Sequence, residues 1–275
     1  MEKLELQKIA NEVRKDIVTA VHAAKAGHPG GSLSAADLFT YLYFQEMNID
    51  PAQPKMPGRD RLVCSKGHAG PAVYATLANR GYFDKKELLT LNQGGTNLPS
   101  HCDMNLTTGI DMTTGSLGQG FSCAVGVALG SKLEDDGATV YAIVGDGESQ
   151  EGQVWEAAMF AASKGLGNLV GFTDYNKLQI DGTVAQVNDI APLADKWAAF
   201  GWNVIDVADG NDVEQVSAAV KQAKANRATG RPTMVILNTL KGCGVKWIEE
   251  MGAGNHNTNV SEEQAKAAIA EIREG

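Results

Sequence analysis

The sequence predicts an α/β fold with a doubly wound, mostly parallel sheet and helices on both faces. Short runs of β-branched and aromatic residues alternate with longer segments that carry apolar residues at helical spacing. This alternation is typical of parallel strands whose crossover helices cover both faces of the sheet. The 275 residues contain no repeat, low-complexity segment or linker, so we assign residues 1–275 to a single domain.

The first half of the chain is predicted to be largely helical around one short strand. Apolar residues recur at helical spacing from Leu6 to Val21, and Gly27 ends that helix. Ser34 is a suitable N-cap for the next helix. Prolines make 50–60 a loop, and 94–114 is a long polar loop of the kind that is usually functional or disordered. The predicted elements are helices at 4–26, 35–45, 70–79 and 85–92 and a strand at 62–64.

The second half alternates regularly between the two element types. It begins with a helix at 118–132 whose small residues would allow close packing on a sheet. The elements that follow are strands at 139–144, 168–175, 203–207 and 233–237 and helices at 150–163, 213–226 and 264–273.

The most informative segment is the acidic turn Gly145-Asp146-Gly147, between a predicted strand and a predicted helix. Ligands of open α/β sheets bind at the carboxyl ends of strands, and a helix N-terminus there favours an anionic phosphate. A carboxylate would repel that phosphate unless a divalent cation lay between them. Asp146 and Asn176 each follow a strand and could give oxygen ligands to Mg²⁺, with the carbonyl of Leu178 as a third.

The acidic turn with Asn176 resembles the thiamine diphosphate (ThDP) motif, and further segments resemble transketolases. Three of them carry histidines, namely AGHPG (26–30), SKGH (65–68) and LPSH (98–101). A fourth, TTGSLGQG (113–120), has Ser116 where proline is usual, and DGESQEG (146–152) and DG (181–182) also match. Because several independent segments agree, the chain is identified as a member of the transketolase family from about residue 10 to about residue 260.

The resemblance implies where ThDP and its metal would bind. Mg²⁺, for which Ca²⁺ or Mn²⁺ could substitute, would be held by Asp146, Asn176 and the Leu178 carbonyl. Gly147 would offer its N–H to the diphosphate, where a side chain would obstruct approach. The positions that match cofactor-binding residues of the family are His68, Gly115, Leu117, Gly147, Glu151, Asn176, Ile180, Lys241 and His256.

The resemblance also implies catalytic roles for four of the five histidines. His28, His68 and His101 would line the substrate channel, hydrogen-bond a carbonyl oxygen and shuttle protons, and His68 and His256 would contact the diphosphate. In the family, glycine usually follows the last of them, whereas Asn257 stands here. His22, in mid-helix outside any motif, is interpreted as a structural residue. The four catalytic candidates are His28, His68, His101 and His256.

Three charged residues have both a functional and a simpler interpretation. Glu151 and Glu156 match glutamates that link two active sites across a dimer interface, but acidic residues early in a helix also complement its dipole. Lys241 matches a position where a cation could neutralise diphosphate, and a loop lysine can equally be a solvated side chain.

Composition narrows the class of partner. The net charge of −9 and pI of about 5.1 argue against nucleic acid and anionic membranes. The four cysteines have no CxxC spacing, which predicts reduced thiols in a cytoplasmic protein. No apolar run approaches the ~20 residues that a membrane span requires.

A full transketolase is more than twice as long as this chain. Its further domains complete the ThDP site. The resemblance therefore implies the N-terminal, diphosphate-binding subunit of a split transketolase of the pentose phosphate pathway. The partner would be a C-terminal subunit with the pyrimidine-binding and C-terminal domains, in a heterotetramer with two copies of each chain that acts on sugar phosphates. Three alternatives stay open: the α subunit of a 2-oxoacid dehydrogenase E1, a split ketol transferase for an unusual sugar phosphate, and a non-enzymatic scaffold.

Overall fold

The central sheet is built from strands distributed along the chain. A computed structural model describes residues 1–274. Its strands are β1 (Arg61–Cys64), β2 (Val140–Gly145), β3 (Leu169–Tyr175), β4 (Leu178–Gln179), β5 (Gly182–Thr183), β6 (Asn203–Val207) and β7 (Thr233–Asn238). Its α-helices are α1 (Lys3–Ala24), α2 (Pro29–Leu33), α3 (Ala36–Tyr41), α4 (Gly70–Arg80), α5 (Gln119–Glu134), α6 (Gly152–Ser163), α7 (Val184–Val187), α8 (Leu193–Ala199), α9 (Val213–Asn226), α10 (Lys246–Glu250) and α11 (Glu262–Glu274).

Five strands form a parallel sheet in the order β1-β2-β3-β7-β6, and β4 and β5 form a separate antiparallel hairpin. In the parallel register Gly145 lies opposite Asp174, which in turn lies opposite Leu237. The carboxyl ends of β1, β2, β3 and β7 therefore meet at one edge of the sheet, which is where open α/β sheets bind their ligands.

Helices cover both faces of the sheet, which confirms the predicted fold class. Alternate residues of β2 enter two different cores. Tyr141 and Ile143 pack with side chains of α1, α4 and α9, whereas Ala142 and Val144 pack with side chains of α5 and α6. This alternation follows from the period of two in a strand, and a strand covered on both faces must be apolar throughout.

The N-cap prediction for Ser34 is wrong. Helix α3 begins at Ala36, and no side chain caps it. The Ser34 hydroxyl hydrogen-bonds to the carbonyl of Gly31 at 3.2 Å and to the carboxylate of Asp174 at 2.6 Å. A hydrogen bond to a buried carboxylate is stronger than one to a backbone N–H, so the tertiary contact replaces the local cap.

The helix after the acidic turn begins later than predicted. Helix α6 starts at Gly152, and the 3-10 turn Glu148–Gln150 separates it from Asp146. The acidic turn therefore leads into a single tight turn and not directly into an α-helix. Two other predicted helical segments differ in type, namely the π-helical turn Leu42–Glu46 and the 3-10 turn Lys85–Thr90.

The loops predicted at 50–60 and 94–114 contain neither a strand nor an α-helix. They lie on either side of β1 in the chain, and the second one carries His101 into the functional edge. None of the helices described within residues 1–274 is both long and apolar enough to cross a membrane.

Candidate active site

A cavity of about 400 Å³ opens at the carboxyl edge of the sheet. It brings together every residue that the sequence predicts for catalysis, cofactor binding or metal binding. The parallel register explains why Asp146 and Asn176 meet, because the ends of β2 and β3 lie side by side. Loops between helices bring in His28, His101 and His256. The predicted residues that line the cavity are His28, His68, His101, Gly115, Leu117, Asp146, Gly147, Glu151, Asn176, Leu178, Ile180, Lys241 and His256.

Asp146 lies directly after β2 and is only 3% exposed. Its carboxylate accepts hydrogen bonds from the backbone N–H groups of Gly147, at 2.7 Å, and Lys177. Burial and the charge of Asp174 raise the pKa of Asp146 to about 7. A cation beside this carboxylate would compensate a charge that burial otherwise makes unfavourable.

Asn176 follows β3 directly, next to the acidic turn. Its Nδ2 donates to Asp174 at 3.1 Å, and its Oδ1 accepts from the backbone N–H of Leu178 at 3.1 Å. Lys177, in the left-handed region with φ of 68°, turns the chain into the β4–β5 hairpin. Because an amide oxygen has two lone pairs, Oδ1 can accept one further contact.

The carbonyl of Leu178 already has a partner. It accepts a hydrogen bond from the Lys241 ammonium at 3.1 Å. No three His, Cys, Asp or Glu side chains cluster as a metal site in residues 1–274. The predicted donor set does not need such a cluster, since it combines one carboxylate, one amide oxygen and one carbonyl, the hard oxygen donors that Mg²⁺ prefers.

Gly147 packs closely against the hairpin. A Cβ added there would lie 3.2 Å from the Cβ of Gln179 in β4. Its N–H donates to Asp146, so a diphosphate at this position would share that N–H with the carboxylate. The backbone is helical at Gly147, with φ of −60°, so the requirement for glycine is one of space and not of conformation.

The four candidate histidines form one cluster. The ring centroid of His28 lies 5.5 Å from those of His68 and His101 and 5.3 Å from that of His256. The rings of His68 and His256 are 4.9 Å apart. Each ring comes from a different part of the chain: His28 from the loop before α2, His68 from the turn after β1, His101 from the loop 94–114 and His256 from the turn after α10. The cluster therefore exists only in the folded chain.

Burial keeps these histidines neutral near pH 7. Together with the charges of His101 and Lys241, it lowers the pKa of His28 to about 4. Burial and Lys241 lower the pKa of His256 to about 3. Burial also lowers the pKa of His68 and of His101. A neutral imidazole can both donate and accept a proton, and Nδ1 of His28 is buried without a hydrogen-bond partner.

Two charged residues of the site were not predicted, Lys66 and Asp174. Both are 1% exposed, and they form an ion pair beneath the cavity. Lys66 also donates to the carbonyl of Gly31 at 2.8 Å. Although burial opposes its ionisation, the Lys66 ammonium lowers the pKa of Asp174. The SKGH segment contained the signal for Lys66, whereas Asp174 was marked only by its charge within an apolar strand.

Glu148 is a third residue that sequence reasoning missed. Its buried carboxylate accepts from the backbone N–H groups of Gly118 at 2.9 Å and Gly145 at 3.0 Å and from the hydroxyl of Ser65. Burial raises its pKa. Glu148 therefore joins the acidic turn to the start of α5 and to the end of β1.

The rim of the cavity is open. Ile180 is 66% exposed, and Glu151 is exposed at the start of α6. Gly115 lies against His101, since a Cβ added to it would be 3.4 Å from Cδ2 of that ring. Glu156 is exposed on α6 and does not line the cavity.

Residues interpreted as structural lie outside the site. The Nδ1 of His22 hydrogen-bonds with the carbonyl of Val260 at 2.7 Å, which satisfies it locally. All four cysteines are free thiols, and two of them, Cys64 and Cys102, are buried.

Comparisons with known proteins identify the family of the chain. The family model "Transketolase, thiamine diphosphate binding domain" matches residues 6–272. The chain is 53% identical over 271 residues to the 6-deoxy-6-sulfo-D-fructose transketolase subunit SqwG of Clostridium sp. (strain MSTE9), covering 98% of this chain and 97% of that protein. It is 38% identical over 274 residues to an apulose-4-phosphate transketolase subunit of Phocaeicola vulgatus, covering 100% and 95%.

Solved structures give the same family. Transketolase from Campylobacter jejuni superposes with a TM-score of 0.90 at 30% identity, over 99% of this chain and 43% of that one. Transketolase from Leishmania mexicana gives a TM-score of 0.89 at 30% identity, over 98% and 41%. The chain thus spans about two fifths of these transketolase chains but nearly all of the SqwG and Phocaeicola subunits.

The chain therefore belongs to the transketolase family of transferases, which confirms the resemblance seen in the sequence. Within that family it corresponds to the N-terminal, ThDP-binding domain, and it matches two transketolase subunits over nearly their whole length.

Proposed function

We propose that this protein is the diphosphate-binding subunit of a two-chain, ThDP-dependent ketol transferase. The observation that carries the proposal is the convergence of four neutral histidines with Asp146 and Asn176 in one cavity. Such a cavity can hold an anionic cofactor through a metal and act on a carbonyl substrate. The family match favours this reaction over the 2-oxoacid dehydrogenase and scaffold alternatives.

The residues present fit ThDP and a divalent metal. Asp146, Asn176 and the Leu178 carbonyl would hold Mg²⁺, and Gly147 would offer its N–H to the diphosphate. Two cations at the cavity, Lys66 and Lys241, would offset the diphosphate charge that the acidic chain as a whole disfavours. When bound, ThDP supplies the carbon nucleophile of ketol transfer.

The histidines would orient the substrate and move protons. His28 lines the cavity, so its ring could hydrogen-bond a substrate hydroxyl or carbonyl oxygen. The ring centroids of His101 and His256 lie 5.5 and 5.3 Å from that of His28, and these residues could pass a proton to or from that oxygen. Their lowered pKa values keep all of them in the neutral form, in which both directions of transfer are available.

A partner chain would complete the site. The two similar subunits match this chain over 97% and 95% of their length, whereas the single-chain transketolases are more than twice as long. The exposed Ile180 and Glu151 form the open rim on which such a chain would close. We expect two copies of each chain in the active assembly.

The test is a ketol-transfer assay of the chain alone and of the complex isolated with its native partner, each with ThDP and Mg²⁺. Activity in the complex but not in the chain alone is the expected result. Ketol transfer by the chain alone would contradict the two-chain proposal. Decarboxylation of a 2-oxoacid by the complex, without ketol transfer, would favour a 2-oxoacid dehydrogenase.

The donor is a second question, and the relatives favour an unusual sugar. We propose 6-deoxy-6-sulfo-D-fructose, because the 53% identical relative is named for it. The pentose phosphate pathway, expected from the sequence, would require xylulose 5-phosphate as donor instead. The assay therefore compares these two donors with one aldose phosphate acceptor. A higher kcat/KM for xylulose 5-phosphate would reject the sulfosugar assignment and leave ketol transfer intact.

A further inference from the structure

The buried carboxylate of Asp174 has no part in the function proposed so far, yet it accepts hydrogen bonds from four residues at the carboxyl edge of the sheet. One of its oxygens, Oδ2, accepts hydrogen bonds from Ser34 at 2.6 Å, from Lys66, and from the Nδ2 of Asn176 at 3.1 Å. The other oxygen accepts from the hydroxyl of Thr239. The carboxylate thereby ties α2 and the ends of β1, β3 and β7 together.

We propose that Asp174 is a positioning residue that holds the amide of Asn176 in its metal-binding orientation. An ionised carboxylate can only accept hydrogen bonds, so it selects the nitrogen of the neighbouring amide and turns the oxygen away. That oxygen, Oδ1 of Asn176, accepts a hydrogen bond from the backbone N–H of Leu178 at 3.1 Å. A flipped amide would face an acceptor with its oxygen and a donor with its nitrogen, which makes two unfavourable contacts.

The ion pair with Lys66 serves this orientation. Asp174 is 1% exposed, and the ammonium of Lys66 compensates its charge at that depth. Ser34 and Lys66 share Oδ2 with Asn176, and Thr239 holds Oδ1, so the carboxylate itself cannot rotate. Partners of this kind behind a metal ligand are typically worth about 10- to 100-fold in metal affinity.

The inference rests on the proposed function, because it assumes a metal at Asn176. Its test uses two double variants that differ only in whether residue 174 offers an acceptor. Lys66→Met with Asp174→Asn removes both charges and keeps an oxygen for Asn176. Lys66→Met with Asp174→Leu removes the charges and the oxygen, with nearly the same side-chain shape.

The probe is Mn²⁺, titrated in the presence of saturating ThDP, with free Mn²⁺ measured by electron paramagnetic resonance. We expect the variant with Asp174→Leu to bind Mn²⁺ about tenfold or more weakly than the variant with Asp174→Asn. Adding Asn176→Asp to the Leu variant should close this gap, because the two oxygens of a carboxylate are equivalent and need no orientation. Circular dichroism verifies the fold, and Asp174→Val replaces Asp174→Leu if the latter does not fold.

Two outcomes would overturn the inference in different ways. Equal Mn²⁺ affinities of the two double variants, with ThDP-dependent binding by the unmodified chain, would show that Asp174 does not position Asn176 and would leave the proposed function intact. Absence of ThDP-dependent Mn²⁺ binding by the unmodified chain and its native complex would reject the metal site of the proposed function, and the inference with it.

Discussion

The ammonium of Lys241 donates a hydrogen bond to the carbonyl oxygen of Leu178 at 3.1 Å. The same ammonium lies 3.4 Å from Nδ1 of His256. One buried cation thus connects the loop after β7 to the hairpin after β3 and to the histidine cluster. Lys241 is only 2% exposed, so the interpretation of this lysine as a solvated loop residue is wrong.

Replacing the Lys241 ammonium by an uncharged side chain should make the chain more stable and its binding of ThDP weaker. Burial and the charge of Lys66 lower the pKa of Lys241 to about 8 from 10.5. Lys241→Met removes a buried charge, so we expect the free energy of unfolding of the ligand-free chain at pH 7 to rise by about 1 kcal/mol. Loss of a cation beside the diphosphate should weaken ThDP binding about tenfold. Urea unfolding and calorimetric titration measure the two effects.

The sign of this stability effect depends on pH. Between pH 8 and 10.5 the native lysine loses its proton while the unfolded lysine keeps it, so the stability of the unmodified chain gains with pH from this group. The advantage of Lys241→Met should therefore shrink across that range. Lys177→Met, at an exposed lysine of the neighbouring hairpin, is the matched control and should change stability by less than about 0.5 kcal/mol. If the stability difference between Lys241→Met and the unmodified chain stays constant from pH 7 to 10.5, the lowered pKa of the buried Lys241 ammonium is contradicted.

Gly147 and Gly152 offer a matched pair for testing the diphosphate position. A Cβ at Gly147 would lie 3.2 Å from the Cβ of Gln179, whereas a Cβ at Gly152 meets no atom within 4 Å. Gly147→Ala should displace the hairpin that carries Leu178 and weaken ThDP binding about fivefold or more, equivalent to about 1 kcal/mol. Gly152→Ala should leave the affinity unchanged. Isothermal titration with ThDP and Mg²⁺ makes the comparison, and equal affinities of the two variants would place the diphosphate elsewhere.

The neutral state of His28 in the native chain predicts that folding stability decreases as the pH falls below 6.5. The pKa of His28 is lowered to about 4, so between pH 6.5 and 4 the unfolded chain binds a proton at this residue that the native chain does not. Stability from this group is therefore present above pH 6.5 and is lost as the pH falls towards 4. His28→Gln should lose stability less steeply over that interval when urea unfolding is measured at each pH. Parallel pH profiles of the two proteins would show that the pKa of His28 is the same in the native and unfolded chain and would contradict the lowered pKa.

Local sequence predicted the parts of the fold and site that depend on neighbours in the chain. The strand before Asp146 and the strand before Asn176 are continuous apolar runs, because both faces of the sheet are covered. The histidines were identified from motif segments. Their grouping around His28 could not be predicted from the parallel register, because only His68 follows a strand and the other three rings come from loops between helices.

Contacts between distant elements could not be predicted in the same way. The Ser34 hydroxyl has a good local role as an N-cap, and only the three-dimensional fold places the carboxylate of Asp174 within its reach. The ion pair of Lys66 with Asp174 connects the end of β1 to β3, and the sequence of neither segment indicates that the two residues are in contact. Likewise, Glu148 accepts hydrogen bonds from Gly145 and from Gly118, and only the fold brings Gly118, 30 residues earlier in the chain, to that carboxylate.

The neighbouring strands β1 and β2 are separated in the chain by residues 65–139. That excursion contains His68, His101 and Gly115, so the strand pair and much of the cavity wall form only when a long loop closes. Pairing of this kind is entropically costly and slow relative to local structure. We therefore expect the part of the cavity wall within residues 65–139 to form after the local helices and the β2–β3 unit that carries Asp146 and Asn176.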